Sequence, residues 1–139
     1  MNGTLQKRKT VRRDHLGESI MNLGSNEGNF KYETKEEIAR HIKRSSALPL
    51  DDIWISGEDE YPCLAILING DYACVHYFEE EGITWQSHGN FSEETIFLAG
   101  GEEWKAPADT VVSIESAISC MEDFFDSMKK PKCIEWRKI

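Results

Sequence analysis

The sequence has no apolar run long enough to cross a membrane. No stretch approaches the roughly 18 apolar residues of a membrane helix, and no apolar segment follows the basic N-terminal cluster, as a secretory signal would require. None of the four cysteines forms a Cys-x-x-Cys pair, and there is no glycine-rich phosphate loop. We therefore expect no membrane contact, no nucleotide-phosphate site, reduced cysteines and a cytoplasmic location.

Basic side chains are scarce in the middle of the chain. The protein has a formal net charge of −9, and residues 21–128 hold only six Lys or Arg against 22 Asp or Glu. Such a surface repels nucleic acid and attracts basic partners. Acidity is also an ordinary means of keeping a protein soluble. The charge therefore favours a basic partner without requiring one.

The N-terminal part of the chain lacks sustained apolar periodicity. Residues 1–28 are rich in Lys, Arg, Asn, Gly and Ser. We predict that residues 1–28 form a mobile basic and polar tail and that residues 29–139 form a single domain. The basic cluster of the tail lacks the interleaved aromatic residues of a nucleic-acid-binding segment, so we expect no direct binding of nucleic acid.

The segment Tyr61–Phe78 organises the predicted fold. Two apolar runs within it flank Asn69-Gly70, the strongest short signal for a β-hairpin with a type I′ turn. With that pair at the centre of the turn, Ile66 lies opposite Ala73. Cys63 and Cys74 then lie diagonally on one face, where a disulfide is conceivable. Both faces of the hairpin are apolar, so we expect it to be central and covered on both sides.

Two helices are predicted beside the sheet. Thr34 and Glu37 form a capping box that begins a short helix over 34–44, and apolar residues at helical spacing predict a longer helix over 113–129. Phe125 lies on that apolar stripe, so we expect it to be buried against the hairpin. The prediction is an α+β fold: an antiparallel sheet of about five or six strands around the central hairpin, with one long C-terminal helix and one shorter N-terminal helix packed on it.

Residues able to do chemistry are few. His76 and Glu79 are close enough in sequence to suggest an acid–base pair, but strand alternation places His76 on a covered face with Cys74 and Phe78. Cys63, Cys74 and His76 do not have the spacing of a zinc site. We predict no catalytic residue, no metal site and no cofactor. The alternative is a small enzyme or ligand-binding domain that uses His76 in a pocket between sheet and helix.

The order of features over roughly 34–137 resembles a known family. The sequence has the hairpin LAILINGDYACVHYF, the turn Ser87-His88-Gly89, an apolar strand, and a helix followed by KKPKCIEW. It resembles the first-numbered immunity protein family of bacterial polymorphic-toxin systems. The family's C-terminal signature corresponds here to Ala117, Phe124 or Phe125, Lys130-Pro131 and Trp136. One departure is Ser127-Met128, where the family often has a glycine.

This resemblance implies an α+β fold and a protein without enzyme activity. It further implies that the chain binds and neutralises a cognate toxin domain, often a nucleic-acid deaminase or nuclease. We expect the chain to neutralise, by occlusion, a basic toxin that acts on nucleic acid. The sequence leaves open whether the inhibitor is a monomer or a homodimer.

Two acidic runs flank the central hairpin and supply the predicted partner-binding surface. The open ends of an antiparallel hairpin meet, so the two runs should be neighbours. A toxin that grips phosphates needs a basic cleft, which a carboxylate cluster can occupy while steering association. Two solvated loops would show the same pattern. The predicted partner-binding residues are Glu58, Asp59, Glu60, Glu79, Glu80, Glu81 and Trp85, the last as an aromatic anchor.

Overall fold

The computed structural model of the protein describes residues 20–139, so most of the predicted tail lies outside the described residues. Met21–Ser25 forms a strand, β1, and Gly28–Tyr32 forms its antiparallel partner, β2. Met21 and Leu23 alternate along β1 and are both buried. Residues 21–28, which the sequence placed in the tail, therefore belong to the folded sheet. Two alternating apolar side chains are enough for a strand here, because they pack between the sheet and the helices that cover it.

Within residues 20–139, ten strands form one large sheet and one separate hairpin. After β1 and β2, the elements are α1 (Lys35–Ser46), β3 (Asp51–Ser56), β4 (Cys63–Asn69), β5 (Tyr72–Glu80), β6 (Ile83–His88), β7 (Thr95–Ala99), β8 (Glu102–Ala106), a 3₁₀ turn (Ala108–Thr110), β9 (Val112–Ser113), α2 (Ile114–Ser127) and β10 (Glu135–Lys138). The large sheet has the order β10-β6-β5-β4-β3-β1-β2, with β9 beside β5, and β7 pairs only with β8. All pairs are antiparallel.

The α+β class is confirmed, but the predicted number of strands is too low. The main sheet has eight strands instead of five or six. The additional strands lie mainly at the edges, or are as short as the two residues of β9. Such segments are too short or too polar to show the alternation by which a strand is recognised in a sequence.

The central hairpin has the predicted faces but a different turn. Asn69 pairs with Tyr72 and Ile66 with Val75, so Gly70 and Asp71 are the central turn residues. Gly70 has φ +60°, and a glycine at the first central position is what a type II′ turn requires. The shift moves each pairing by two residues and therefore leaves every side chain on its predicted face.

The same register separates the two cysteines of the hairpin. Cys63 pairs with Phe78, whereas Cys74 pairs with Leu67. Four residues along a strand span about 13 Å, well beyond the reach of a disulfide. The disulfide considered from the sequence is therefore ruled out by this geometry, and both cysteines are free thiols.

One face of the sheet is covered by the two helices. The capping box of α1 is confirmed: the Glu37 N–H donates to Thr34 Oγ1 at 3.2 Å, and the Thr34 N–H donates to Glu37 Oε1 at 3.1 Å. Ser113 caps α2 by accepting the Ser116 N–H at 3.0 Å. The main core lies between these helices and the sheet.

The apolar stripe of α2 is rotated slightly from the prediction. Phe124, not Phe125, is fully buried, and its ring lies 6.1 Å from that of Tyr77 in an edge-on arrangement. Phe125 is only half-buried at the margin of the core. Cys120 also belongs to the buried face, and including it moves the centre of the stripe toward Phe124. The expectation that Phe125 is the buried residue is therefore wrong.

The opposite face of the sheet is covered only in part. The β7–β8 hairpin packs on it and forms a second, smaller core from Leu67, Cys74, Phe97, Ala106 and Val111. The Gly100 N–H at the tip of this hairpin donates to Asp52 Oδ2 at 2.8 Å. The remainder of this face is open, so the central hairpin is covered fully on one side and partly on the other.

Candidate functional site

The two acidic runs lie at the same end of the central hairpin. Cys63 and Phe78 form the last paired position of the hairpin, and both runs follow immediately beyond it. All six carboxylate residues are exposed. Partial burial raises the pKa of the Tyr61 hydroxyl, and the nearby Glu60 and Glu81 carboxylates raise it further. We call this cluster the acidic end; it consists of Glu58, Asp59, Glu60, Glu79, Glu80 and Glu81.

Trp85 lies beside the acidic end but does not present an open ring. It pairs with Tyr77 across the sheet, and its indole N–H donates to Glu79 Oε1 at 3.2 Å. Lys130 Nζ lies 3.4 Å from the centroid of the indole ring, a cation–π contact. One face of the indole ring is therefore occupied by the lysine.

The open part of the second face is a groove that the sequence reasoning missed. Three residues that are neighbours across β3, β4 and β5 form its floor: Trp54, Ala65 and His76. Trp54 also stacks on Phe78, with ring centroids 5.2 Å apart. The groove has a volume of about 430 Å³. The small Ala65 between the aromatic Trp54 and His76 could have indicated this groove. The part of the sheet face that the β7–β8 hairpin covers could not be predicted from the sequence.

His76, in the floor of the groove, is a neutral side chain. The side-chain amide nitrogen of Gln86 lies 3.1 Å from His76 Nε2. Because an amide nitrogen can only donate, His76 Nε2 accepts this hydrogen bond. Burial lowers the pKa of His76 to about 4. Glu79, the partner suggested by the sequence, instead accepts from Trp85. The structure therefore does not bring the proposed acid–base pair together, and the groove lies away from the helices rather than between sheet and helix.

We expect the pH dependence of stability to reveal this histidine. Its pKa is about 4 in the folded protein against 6.5 for an ordinary histidine. Between these values the unfolded chain binds more protons, so stability falls as the pH drops from 6.5 toward 4. His76→Gln should flatten that part of the stability profile, measured by urea unfolding. An NMR titration of His76 with a midpoint above pH 6 would contradict the assignment.

The sequence was also compared with known protein families. The family model described as Immunity protein Imm1 matches residues 26–138. The chain belongs to the Imm1 family. The resemblance suggested by the sequence is thus confirmed, and the matched span includes the acidic end, the three floor residues of the groove and both helices. No curated protein is a significant match to the chain.

The Ser87-His88-Gly89 segment of this Imm1 chain, expected to be a turn, ends strand β6 and has a structural role. Ser87 Oγ is buried, accepts the Val75 N–H at 3.0 Å and donates to the Thr110 carbonyl at 2.7 Å. A Cβ atom at Gly89 would lie 2.1 Å from the Val111 carbonyl oxygen. The serine therefore completes hydrogen bonding inside the sheet, and the glycine is the only residue type that this close approach admits.

The C-terminal signature of this Imm1 chain attaches the last strand to the core. The Trp136 indole N–H donates to the Pro131 carbonyl at 2.7 Å, and its ring lies 6.4 Å from that of Tyr77. Ala117 is fully buried on α2. These residues stabilise the fold, and none of them belongs to the acidic end or the groove.

Metal and membrane sites are not indicated within residues 20–139. No group of three or more His, Cys, Asp or Glu side chains in that range is placed to hold a metal ion. Neither helix in the described part of the chain is long and apolar enough to span a bilayer. Cys63 and Cys74, considered as ligands with His76, lie four residues apart along the hairpin.

Proposed function

We propose that this Imm1 protein binds a cognate toxin domain in the cytoplasm of the producing cell and neutralises it by occlusion. Membership of an immunity protein family supports a protein partner. The observation that carries the mechanism is the convergence of two exposed acidic runs at one end of the central hairpin. Such a surface fits a cleft that is itself basic.

The chemistry of the acidic end suggests the class of toxin. An enzyme that acts on nucleic acid holds phosphates with lysine and arginine. Carboxylates placed in the same cleft compete with phosphates and repel the incoming nucleic acid. The partner is therefore a basic toxin domain, and the inhibitor acts once per toxin without turnover.

A titration of toxin activity tests this function. The cognate toxin domain is mixed with rising amounts of the protein, and its activity on nucleic acid is measured. Occlusion predicts that activity reaches its floor at one equivalent and that a stable complex elutes as a single species. Protection by far less than one equivalent would instead indicate catalysis, for which His76→Gln is the deciding variant. The absence of any complex would overturn the proposal.

A further inference from the structure

The groove on the partly covered face combines an apolar floor with an exposed aromatic side chain. Trp54 is 43% exposed, although its neighbours on β3, Ile53 and Ile55, are fully buried on the helix side. Ala65 lies between Trp54 and His76 and leaves a depression in the sheet surface. With a volume of about 430 Å³, the groove is an open depression rather than an enclosed pocket, a shape suited to a side chain on a partner's surface. The site has room for an apolar side chain and part of its backbone.

Carboxylates lie on two sides of this groove, and the nearby Arg137 is paired with Asp109. Among the described residues that line the groove, Asp52 carries the one side-chain carboxylate, and none is a lysine or arginine. On the side of the acidic end, exposed Glu80 lies two residues after Phe78 on β5. On the other side, exposed Glu102 pairs with Ala99 in the β7–β8 hairpin. An apolar centre with carboxylates on two sides favours an apolar group accompanied by positive charge.

We propose that this groove is a second contact surface for the toxin domain, and that it receives an apolar side chain flanked by lysine or arginine. The inference rests on the proposed function and specifies the chemistry of the partner. The groove and the acidic end are adjacent, because Phe78 lines the groove and Glu79 and Glu80 follow it directly. One partner surface can therefore reach both.

Charge argues against the other occupants of the groove. A second copy of the chain would bring a second set of acidic side chains against the first, and like charges across an interface are unfavourable. Nucleic acid is repelled for the same reason. A basic protein with an exposed apolar side chain satisfies both properties of the site.

Two exposed aromatic residues provide a matched test. Trp54 on β3 is 43% exposed in the groove, and Tyr72 on β5 is 44% exposed at the turn end of the central hairpin. Trp54→Ala should weaken binding of a catalytically inactive toxin domain about ten-fold, through faster dissociation. Tyr72→Ala should change it less than two-fold. Association and dissociation rates are measured by surface-based binding, and melting temperatures confirm that both variants fold.

A second variant keeps the test decisive if Trp54→Ala folds poorly. Thr84→Lys places a cation in the lining of the groove and should also weaken binding, because it repels the partner's basic residues. Wild-type affinity in both folded variants would overturn the groove while leaving the proposed function intact. Failure of the wild type to bind the toxin would overturn the proposed function itself. A dimer of the free protein that dissociates on Trp54→Ala, seen by sedimentation, would assign the groove to self-association and overturn the inference.

Discussion

Replacing Glu60, Glu80 and Glu81 together by lysine should slow association with the toxin domain more than ten-fold. These three carboxylates belong to the acidic end and are exposed, so the change acts on the field that steers a basic partner. Steering of this kind changes association rates by roughly 10–1000-fold. Glu79 is left in place because it accepts a hydrogen bond from Trp85, and its loss would confuse charge with local structure.

Ionic strength and a matched variant separate steering from other effects. The Debye length falls from ~10 Å at 0.1 M salt to ~3 Å at 1 M, so the wild-type association rate should fall steeply with salt and the variant's should not. The control replaces Asp71, Glu93 and Glu94 by lysine, an equal change of charge among exposed residues near the turn end of the hairpin. Stopped-flow mixing measures the rates. Equal rates for the two triple variants would remove the acidic end from the interface.

Phe124→Ala should cost about 3–5 kcal/mol of the free energy of unfolding. The ring is fully buried and packs edge-on against Tyr77, so its removal leaves a cavity between α2 and the central hairpin. Typical domains are stable by only ~5–15 kcal/mol, so the variant should unfold at a much lower urea concentration. Far-ultraviolet circular dichroism during urea denaturation measures the difference.

Phe125→Ala is the matched comparison, since it removes the same side chain from the next position of the same helix. Phe125 is half-buried at the edge of the core, so the loss should be less than half of that for Phe124→Ala. An equal or larger loss for Phe125→Ala would show that the helix presents the face first expected from the sequence. Neither change touches the acidic end, so toxin binding by the folded variants should be retained.

Local signals predicted several elements because their physics is contained in a few neighbouring residues. The capping box at Thr34 and Glu37 formed as expected. The faces of the central hairpin were also predictable, because alternation depends only on the parity of each position. The meeting of the acidic runs followed from the antiparallel pairing.

Features that depend on distant contacts were not predictable in the same way. The choice between Phe124 and Phe125 depends on the position of Tyr77 across the core, and both residues fit a helical stripe. Strand β1 depends on burial by a sheet and helices far along the chain. The groove depends on how much of one sheet face the β7–β8 hairpin leaves open, a quantity set by tertiary packing alone.

The separate pairing of β7 and β8 has a consequence for motion. Within the described chain, no strand pairing joins this hairpin to the main sheet; Asn69 holds it through the Ile96 carbonyl, and Asp52 holds it through the Gly100 amide. Local unfolding in proteins follows such cooperative units. The hairpin is therefore a unit that can open while the helix-covered core stays folded, and its amides should exchange with solvent deuterium before those of β4 and β5. Since Phe97 and Ala106 of the hairpin are buried in the second core, we expect the closed form to prevail, and early exchange would reveal a surface on that side that changes shape.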